Sequence, residues 1–170
     1  MRKFMHKSLL FIVCLFFLPV LGWAQIKNPE FKKVLDSLSK SNIRLISIQD
    51  FKKLDKRNVY LLDAREREEY DLSHLRNSRP VGYFWFDMRK VYKIPQDATI
   101  IVYCAVGNRG QTIAEKLMQD GYQSVYNLYG GIFEWVNQGN PVYKSSGVQT
   151  SEVHLYNKKW AQWLDKGIKE

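Results

Sequence analysis

Of the two cysteines in the 170 residues, Cys104 stands where a thiol can do chemistry. It closes the apolar, β-branched run Thr99-Ile100-Ile101-Val102-Tyr103, and the short loop Ala105-Val106-Gly107-Asn108-Arg109-Gly110 follows it. Thr112 to Met118 then reads as a helix, with Ile113, Leu117 and Met118 at helical spacing. This order places a thiol at the C-terminal end of a buried strand and aims a helix N-terminus at it. Backbone N–H groups in such a loop can cradle an anion, and the helix dipole adds positive potential. The same field favours thiolate over thiol, and thiolate is the nucleophile. Gly107 allows the backbone to turn inward, Gly110 reads as the helix N-cap, and Arg109 can pair with an oxyanion or fix the loop. His6, His74 and His154 fall at no metal-ligand spacing, so no metal or organic cofactor is implied.

The elements that must hold this thiol follow from the periodicity. Asn28-Pro29 opens a helix with Phe31, Val34, Leu35 and Leu38 along one side. Arg44 to Ile48 reads as a short strand, Ser47 as a cap and Gln49 to Leu54 as a helical turn. Asn58 to Asp63 is a continuous apolar strand ending at Asp63 and Arg65. Glu66 to Tyr70 reads as a short helix and Pro80 to Tyr83 as a further strand, with aromatic Phe84, Trp85 and Phe86 after it. Val125 to Leu128 is a last strand and Gly131 to Gln138 a helix. Strands alternating with helices predict an α/β domain: a mostly parallel central sheet flanked by helices on both faces.

Three stretches, in this order, resemble one family. Leu61-Leu62-Asp63-Ala64-Arg65-Glu66-Arg67-Glu68-Glu69-Tyr70 is similar to the Asp-x-Arg segment of rhodanese-type sulfurtransferases. Cys104-Ala105-Val106-Gly107-Asn108-Arg109 resembles their active-site loop, and Tyr126 to Trp135 their Gly-Gly-x-x-x-Trp segment. The resemblance implies a rhodanese-like fold over residues 44–143 and a sulfurtransferase. Cys104 would take sulfur from a small anionic donor such as thiosulfate, carry it as a persulfide and pass it to a thiol or cyanide. Ala105, Val106, Gly107, Asn108, Arg109 and Gly110 would bind substrate, with Asp63 and Arg65 bracing the loop from behind. Gly110 departs from the Ser or Thr frequent after the loop arginine, and Ala105 and Val106 leave the loop apolar, which opens the choice of donor. His74 and Trp135 read as structural, and the Phe84-Trp85-Phe86 cluster as core or rim. Two other readings follow from the same residues: a non-catalytic module that binds a partner or senses redox state through Cys104, and a cysteine-loop phosphatase. Phosphatase loops place five residues between Cys and Arg; here four intervene.

The ends carry different signals. Arg2, Lys3 and Lys7 precede the apolar run Leu9 to Leu18, and Gly22-Trp23-Ala24 supplies small residues before Gln25. Residues 1–24 therefore read as a secretory leader containing Cys14, with export to the periplasm or beyond and membrane contact through that leader alone. The net charge of +9 falls to +6 without the leader, enough to draw small anions; no basic stretch interleaved with aromatics points to nucleic acid. Residues 25–43 read as a helical extension. Beyond a hinge at Ser145-Ser146-Gly147, Val153, Tyr156, Trp160, Trp163 and Leu164 share one helical face, so residues 144–170 read as a linker and an amphipathic helix. That helix would fold back on the domain or dock a protein partner.

Overall fold

Five parallel strands run through the middle of the computed structural model, which describes residues 26–170. Their spatial order is β1 (Leu45–Ile46), β5 (Ser124–Leu128), β4 (Thr99–Tyr103), β2 (Val59–Asp63) and β3 (Arg79–Pro80). The central pairs are in continuous register, Val59 to Asp63 against Thr99 to Tyr103 and Thr99 to Val102 against Ser124 to Asn127. The expected leader, residues 1–24, with Cys14 inside it, lies outside the described residues.

Successive side chains of a strand point to opposite faces, and here both faces are covered. Ile101 and Tyr103 of β4 enter one core with Leu61, Leu128, Ile132 and Phe133. Ile100, Val102 and Cys104 enter the other with Leu62, Val81, Ile113 and Leu117. The first core is roofed by α1 (Pro29–Leu38), α2 (Ile48–Lys53) and α5 (Gly131–Asn137), the second by α4 (Asn108–Gln119). This is the α/β arrangement expected, and it explains why the strands read as unbroken apolar runs.

Local chemistry sets the ends of these elements. Asn28 caps α1 by accepting from the N–H groups of Glu30 and Phe31, and Pro29 sits in the first turn, where no donor is lost. Ser47 caps α2. Glu66 caps α3 (Arg67–Leu72) in a reciprocal box with Glu69. The strand expected over Pro80 to Tyr83 covers only Arg79–Pro80, because the N–H groups of both Val81 and Gly82 turn onto the Asp63 carbonyl.

The C-terminal expectation is corrected. Residues 144–170 form no α-helix. The expected hinge Ser145-Ser146-Gly147 is the turn of a hairpin between β6 (Val142–Tyr143) and β7 (Gln149–Thr150). Beyond it, β8 (Glu152–Val153) pairs in parallel with β9 (Ile168–Lys169) across a 3-10 helix, Lys158–Trp163. Asn137 holds this segment in place. Its side chain donates to the Trp163 carbonyl at 2.8 Å and accepts from the N–H groups of Asp165 and Lys166. Val153 and Leu164 are fully buried in the first core, and Trp163 stacks on Phe31 at 5.5 Å. Of the five apolar residues read as one helical face, Val153 and Leu164 enter the domain's own core and Trp160 and Trp163 pack against it, while Tyr156 stays 45% exposed.

Leu164→Ala leaves a cavity beneath α1 and α5. We expect a loss of about 2–4 kcal/mol in urea unfolding, the cost of truncating a core leucine, with an unchanged denaturant slope.

Candidate active site

Cys104 follows directly on β4 and is 98% withdrawn from solvent, with 2% of its surface exposed. Its Sγ accepts a hydrogen bond from the Gly107 N–H at 3.1 Å. Gly107 sits at φ 112°, where side chains are strained, and it is itself the residue preceding α4. The helix thus starts at Asn108, not after Gln111, and Arg109 and Gly110 lie in its first turn. Gly110 is not the cap expected from the sequence. A Cβ there would stand 2.3 Å from the buried amide oxygen of Asn127, so that amide fills the place a larger residue would need.

The orientation of the loop's peptides comes from α5. The Ile132 and Phe133 N–H groups donate to the carbonyls of Cys104 and Ala105, at 2.9 and 3.1 Å. In a trans peptide the N–H points opposite to the C=O, and the described residues contain no cis bond. The N–H groups of Ala105 and Val106 therefore point away from α5, toward the face on which the Cys104 side chain lies. The N–H groups of Asn108, Arg109 and Gly110 are donors of a helix's first turn, without acceptors inside the helix. Gly131 makes the close approach feasible: at φ 56° its missing Cβ would lie 2.3 Å from the Cys104 carbonyl oxygen and 2.6 Å from that of Ala105. This accounts physically for the second glycine of the pair, Gly131. Trp135 is half-buried, its Nε1–H on the Pro141 carbonyl.

Arg109 does one of the two things its position allowed. Its two terminal nitrogens donate to the two carboxylate oxygens of Glu69 on α3, at 2.6 and 2.7 Å, and Tyr156 covers the guanidinium at 4.4 Å. The fork thus ties the loop to α3, and it is not free to meet an incoming anion. Burial alone would raise the Glu69 carboxyl; the bond to Arg109 and the nearby Arg65 outweigh this and hold it below its ordinary value of 4.5. Burial disfavours the Arg109 charge, yet Glu69 and Cys104 together hold its pKa above the usual arginine range. Asp63 and Arg65 form a second buried pair, 2.7 Å between Oδ2 and Nη2, and Arg65 also donates to the Ser73 carbonyl at 2.6 Å. They join the end of β2 to the turn after α3. His74 is structural, stacked on Tyr70 and bonded to its carbonyl.

Glu69, Tyr156 and Asn127 were not found by sequence reasoning. Glu69 is one of several acids in a short helix, 40 residues before Arg109. Tyr156 was assigned to a helix that does not form. Its φ of 64° is rare for a bulky residue. Phe84 and Trp85 are 66% and 85% exposed, so they belong to the rim and not the core. Two open hollows, about 700 and 360 Å³, are lined by 144–152 and by residues of 136–167; neither includes the Cys104 loop. Among the described residues no three His, Cys, Asp or Glu side chains converge on a metal position.

Residues 47–138 match the family model described as a rhodanese-like domain. The chain belongs to the rhodanese family. Within it, 93 residues are 31% identical to a sulfurtransferase of Allochromatium vinosum, covering 55% of this chain and 86% of that protein. Another 31% identity, over 85 residues, is to an adenylyltransferase and sulfurtransferase of Ogataea parapolymorpha; it covers 50% of this chain and only 22% of that protein. Among solved structures, a thiosulfate sulfurtransferase from Pseudomonas aeruginosa shares 25% identity at a TM-score of 0.55, covering 60% of this chain and 20% of that one. The matches thus take in the rhodanese sheet and its loops, and the C-terminal segment that supplies Tyr156 lies beyond the family model.

Two outcomes follow. Gly131→Ala should destabilise the fold by roughly 2–4 kcal/mol in urea unfolding, because a side chain there displaces the loop's own carbonyls. The Glu69 carboxyl is depressed in the folded state, so the unfolded chain binds the extra proton below 4.5. Stability from this pair is full above that pH and is lost as pH falls through the lower folded value. Glu69→Gln should be less stable at neutral pH and show a shallower loss in acid, read as thermal midpoint against pH.

Proposed function

We propose that the protein is a sulfurtransferase that carries sulfane sulfur on Cys104. The observation that carries this reading is the orientation of the loop. The Gly107 N–H bonds Sγ, and α5 turns the Ala105 and Val106 N–H groups toward the side where that sulfur sits. Donors on that side would meet the negative charge that develops on the terminal sulfur of a persulfide built there. In the first half-reaction the Cys104 thiolate attacks the outer sulfur of a donor such as thiosulfate. The donor's S–S bond breaks and sulfite departs with the bonding pair. In the second, a thiol or cyanide attacks the outer sulfur of the persulfide and regenerates the thiolate. Ala105, Val106, Gly107, Asn108 and Gly110 act through their backbone, and Arg109, Asp63 and Arg65 hold the loop that presents it. No cofactor enters either step. The leader-like residues 1–24 support placing the reaction outside the cytoplasm, in the periplasm or beyond.

Purified protein incubated with thiosulfate and cyanide should release thiocyanate, with Cys104 gaining one sulfur atom by mass spectrometry in the absence of acceptor. Cys104→Ser should lose the turnover by about 1000-fold or more, the loss of a covalent nucleophile. An aryl phosphate offered in parallel should not be hydrolysed; hydrolysis dependent on Cys104 would move the protein to the phosphatase class.

A further inference from the structure

Tyr156 is a bulky residue on a strained backbone. Its φ of 64° lies in the left-handed region that glycine and asparagine accept and that costs a tyrosine free energy. The chain is anchored on either side of it. Before it, Val153 is buried in the first core and the Leu155 N–H bonds the Glu170 carbonyl at 2.8 Å. After it, the Asn157 side chain caps the 3-10 helix by accepting from the Lys159 N–H at 3.2 Å, and Trp160 and Trp163 of that helix pack on the same core. Glycine or asparagine would make this turn without strain. A strained residue of this kind persists where its surroundings over-determine it, and it points to work done by the side chain.

The ring of Tyr156 lies over the Arg109 guanidinium, 4.4 Å from centroid to carbon. The adjoining strand β8 packs against α3, the helix that carries Glu69. Tyr156 keeps 45% of its surface in water, whereas the side chains of Arg109 and Glu69 keep 8% and 4%. The ring therefore stands between the solvent and the fork that joins them. An exposed ion pair is screened and loosely held, and a covered one is screened far less. The other end of the fork is the Cys104 loop. Arg109 follows Gly107 by two residues in the first turn of α4, and Gly107 donates its N–H to the Cys104 Sγ and accepts the Gln111 N–H at 3.1 Å.

We propose that Tyr156 is a positioning residue for sulfur transfer: its ring keeps water off the Arg109–Glu69 fork and so holds residues 107–111 in line with the Cys104 sulfur. This rests on the sulfurtransferase reading above. Tyr156 acts through Arg109 and not on the sulfur itself. The face of the ring makes the contact, so the hydroxyl is dispensable. The family model ends at residue 138, and this role is supplied by the segment beyond it.

The test reads two quantities in one set of variants: amide hydrogen exchange by NMR, and the rate at which Cys104 gains a sulfur atom from thiosulfate by mass spectrometry. In Tyr156→Gly we expect the Gly107 and Gln111 amides to exchange about 10-fold faster, the worth of a cation–π contact kept from water, with Ile101 and Val102 of β4 unchanged. Sulfur loading should slow by about 10-fold, the cost of a displaced donor. Tyr156→Asn, which accepts the same backbone without the freedom of glycine, should behave alike, and Tyr156→Phe, which keeps the ring face, should restore both quantities to within about twofold of the natural protein. Unchanged exchange at Gly107 and Gln111, or loading within about twofold in both Gly and Asn variants, would overturn the proposal. Equal acceleration at Ile101 and Val102 would also overturn it, by making Tyr156 a support of the whole fold. A Tyr156→Phe variant as impaired as Tyr156→Gly would overturn the role of the ring face. Failure of the natural protein to gain sulfur would instead overturn the sulfurtransferase reading, and the exchange measurements would then decide alone whether Tyr156 holds the loop.

Discussion

Two peptide carbonyls decide what the loop after β4 can do. Those of Cys104 and Ala105 are engaged by the first N–H groups of α5, and a trans peptide leaves no choice about where the opposite N–H groups point. Donors on the Cys104 side are therefore a consequence of how the helix on the far face begins. The sheet enforces the same division. Cys104 continues the alternation of β4 into the core under α4, while the carbonyls that follow it turn toward the core under α5. The site straddles the two layers, and only a residue without Cβ at position 131 lets them come close enough.

Charge supplies the second constraint. A loop whose N–H groups all face one side would open if nothing held its far end. Arg109 does so through a bidentate contact with Glu69, shielded by Tyr156. A buried pair of this kind contributes little net stability against an apolar alternative, because desolvation offsets the attraction. Its use here is geometric: the planar fork fixes the orientation of α3 relative to the first turn of α4. Asp63 and Arg65 repeat the device one strand away, where the end of β2 meets the turn after α3. Bracing engages both guanidinium groups, with Nη1 of Arg65 left buried and without a hydrogen-bond partner among the described residues.

What could be read in the chain beforehand was local. The run from Thr99 to Tyr103, the thiol, the glycine and the helix beyond it are contiguous, and each is fixed by backbone sterics and periodicity. The same holds for the caps at Asn28 and Ser47 and for the alternation that sorts β4 into two cores. What escaped depends on residues distant in sequence. Nothing around Glu69 marks it as the partner of an arginine 40 positions later, and nothing at Gly110 announces that the Asn127 amide occupies the space above it. The misread C-terminal segment shows a different failure. Val153, Tyr156, Trp160, Trp163 and Leu164 fit a helical face by spacing alone, but five positions are a weak period. The Asn137 side chain and the β8–β9 pairing supply hydrogen bonds that an α-helix would have had to forgo.

The two ends of the described chain have a joint consequence for the site. Phe31 from α1 stacks on Trp163 from the C-terminal 3-10 helix, so both ends close over the same core, on the face of the sheet opposite Cys104. From there the chain reaches round to lay Tyr156 over Arg109. The family match ends at residue 138, yet an aromatic ring 18 positions later shields the ion pair that anchors the Cys104 loop. A strained backbone at Tyr156 is tolerated because its neighbours are fixed: Val153 is buried in the core, and the His154 ring accepts the Tyr156 N–H at 2.9 Å. The extension is thus part of the machinery that positions the site. It covers the arginine with an aromatic ring that the family-matched residues do not supply.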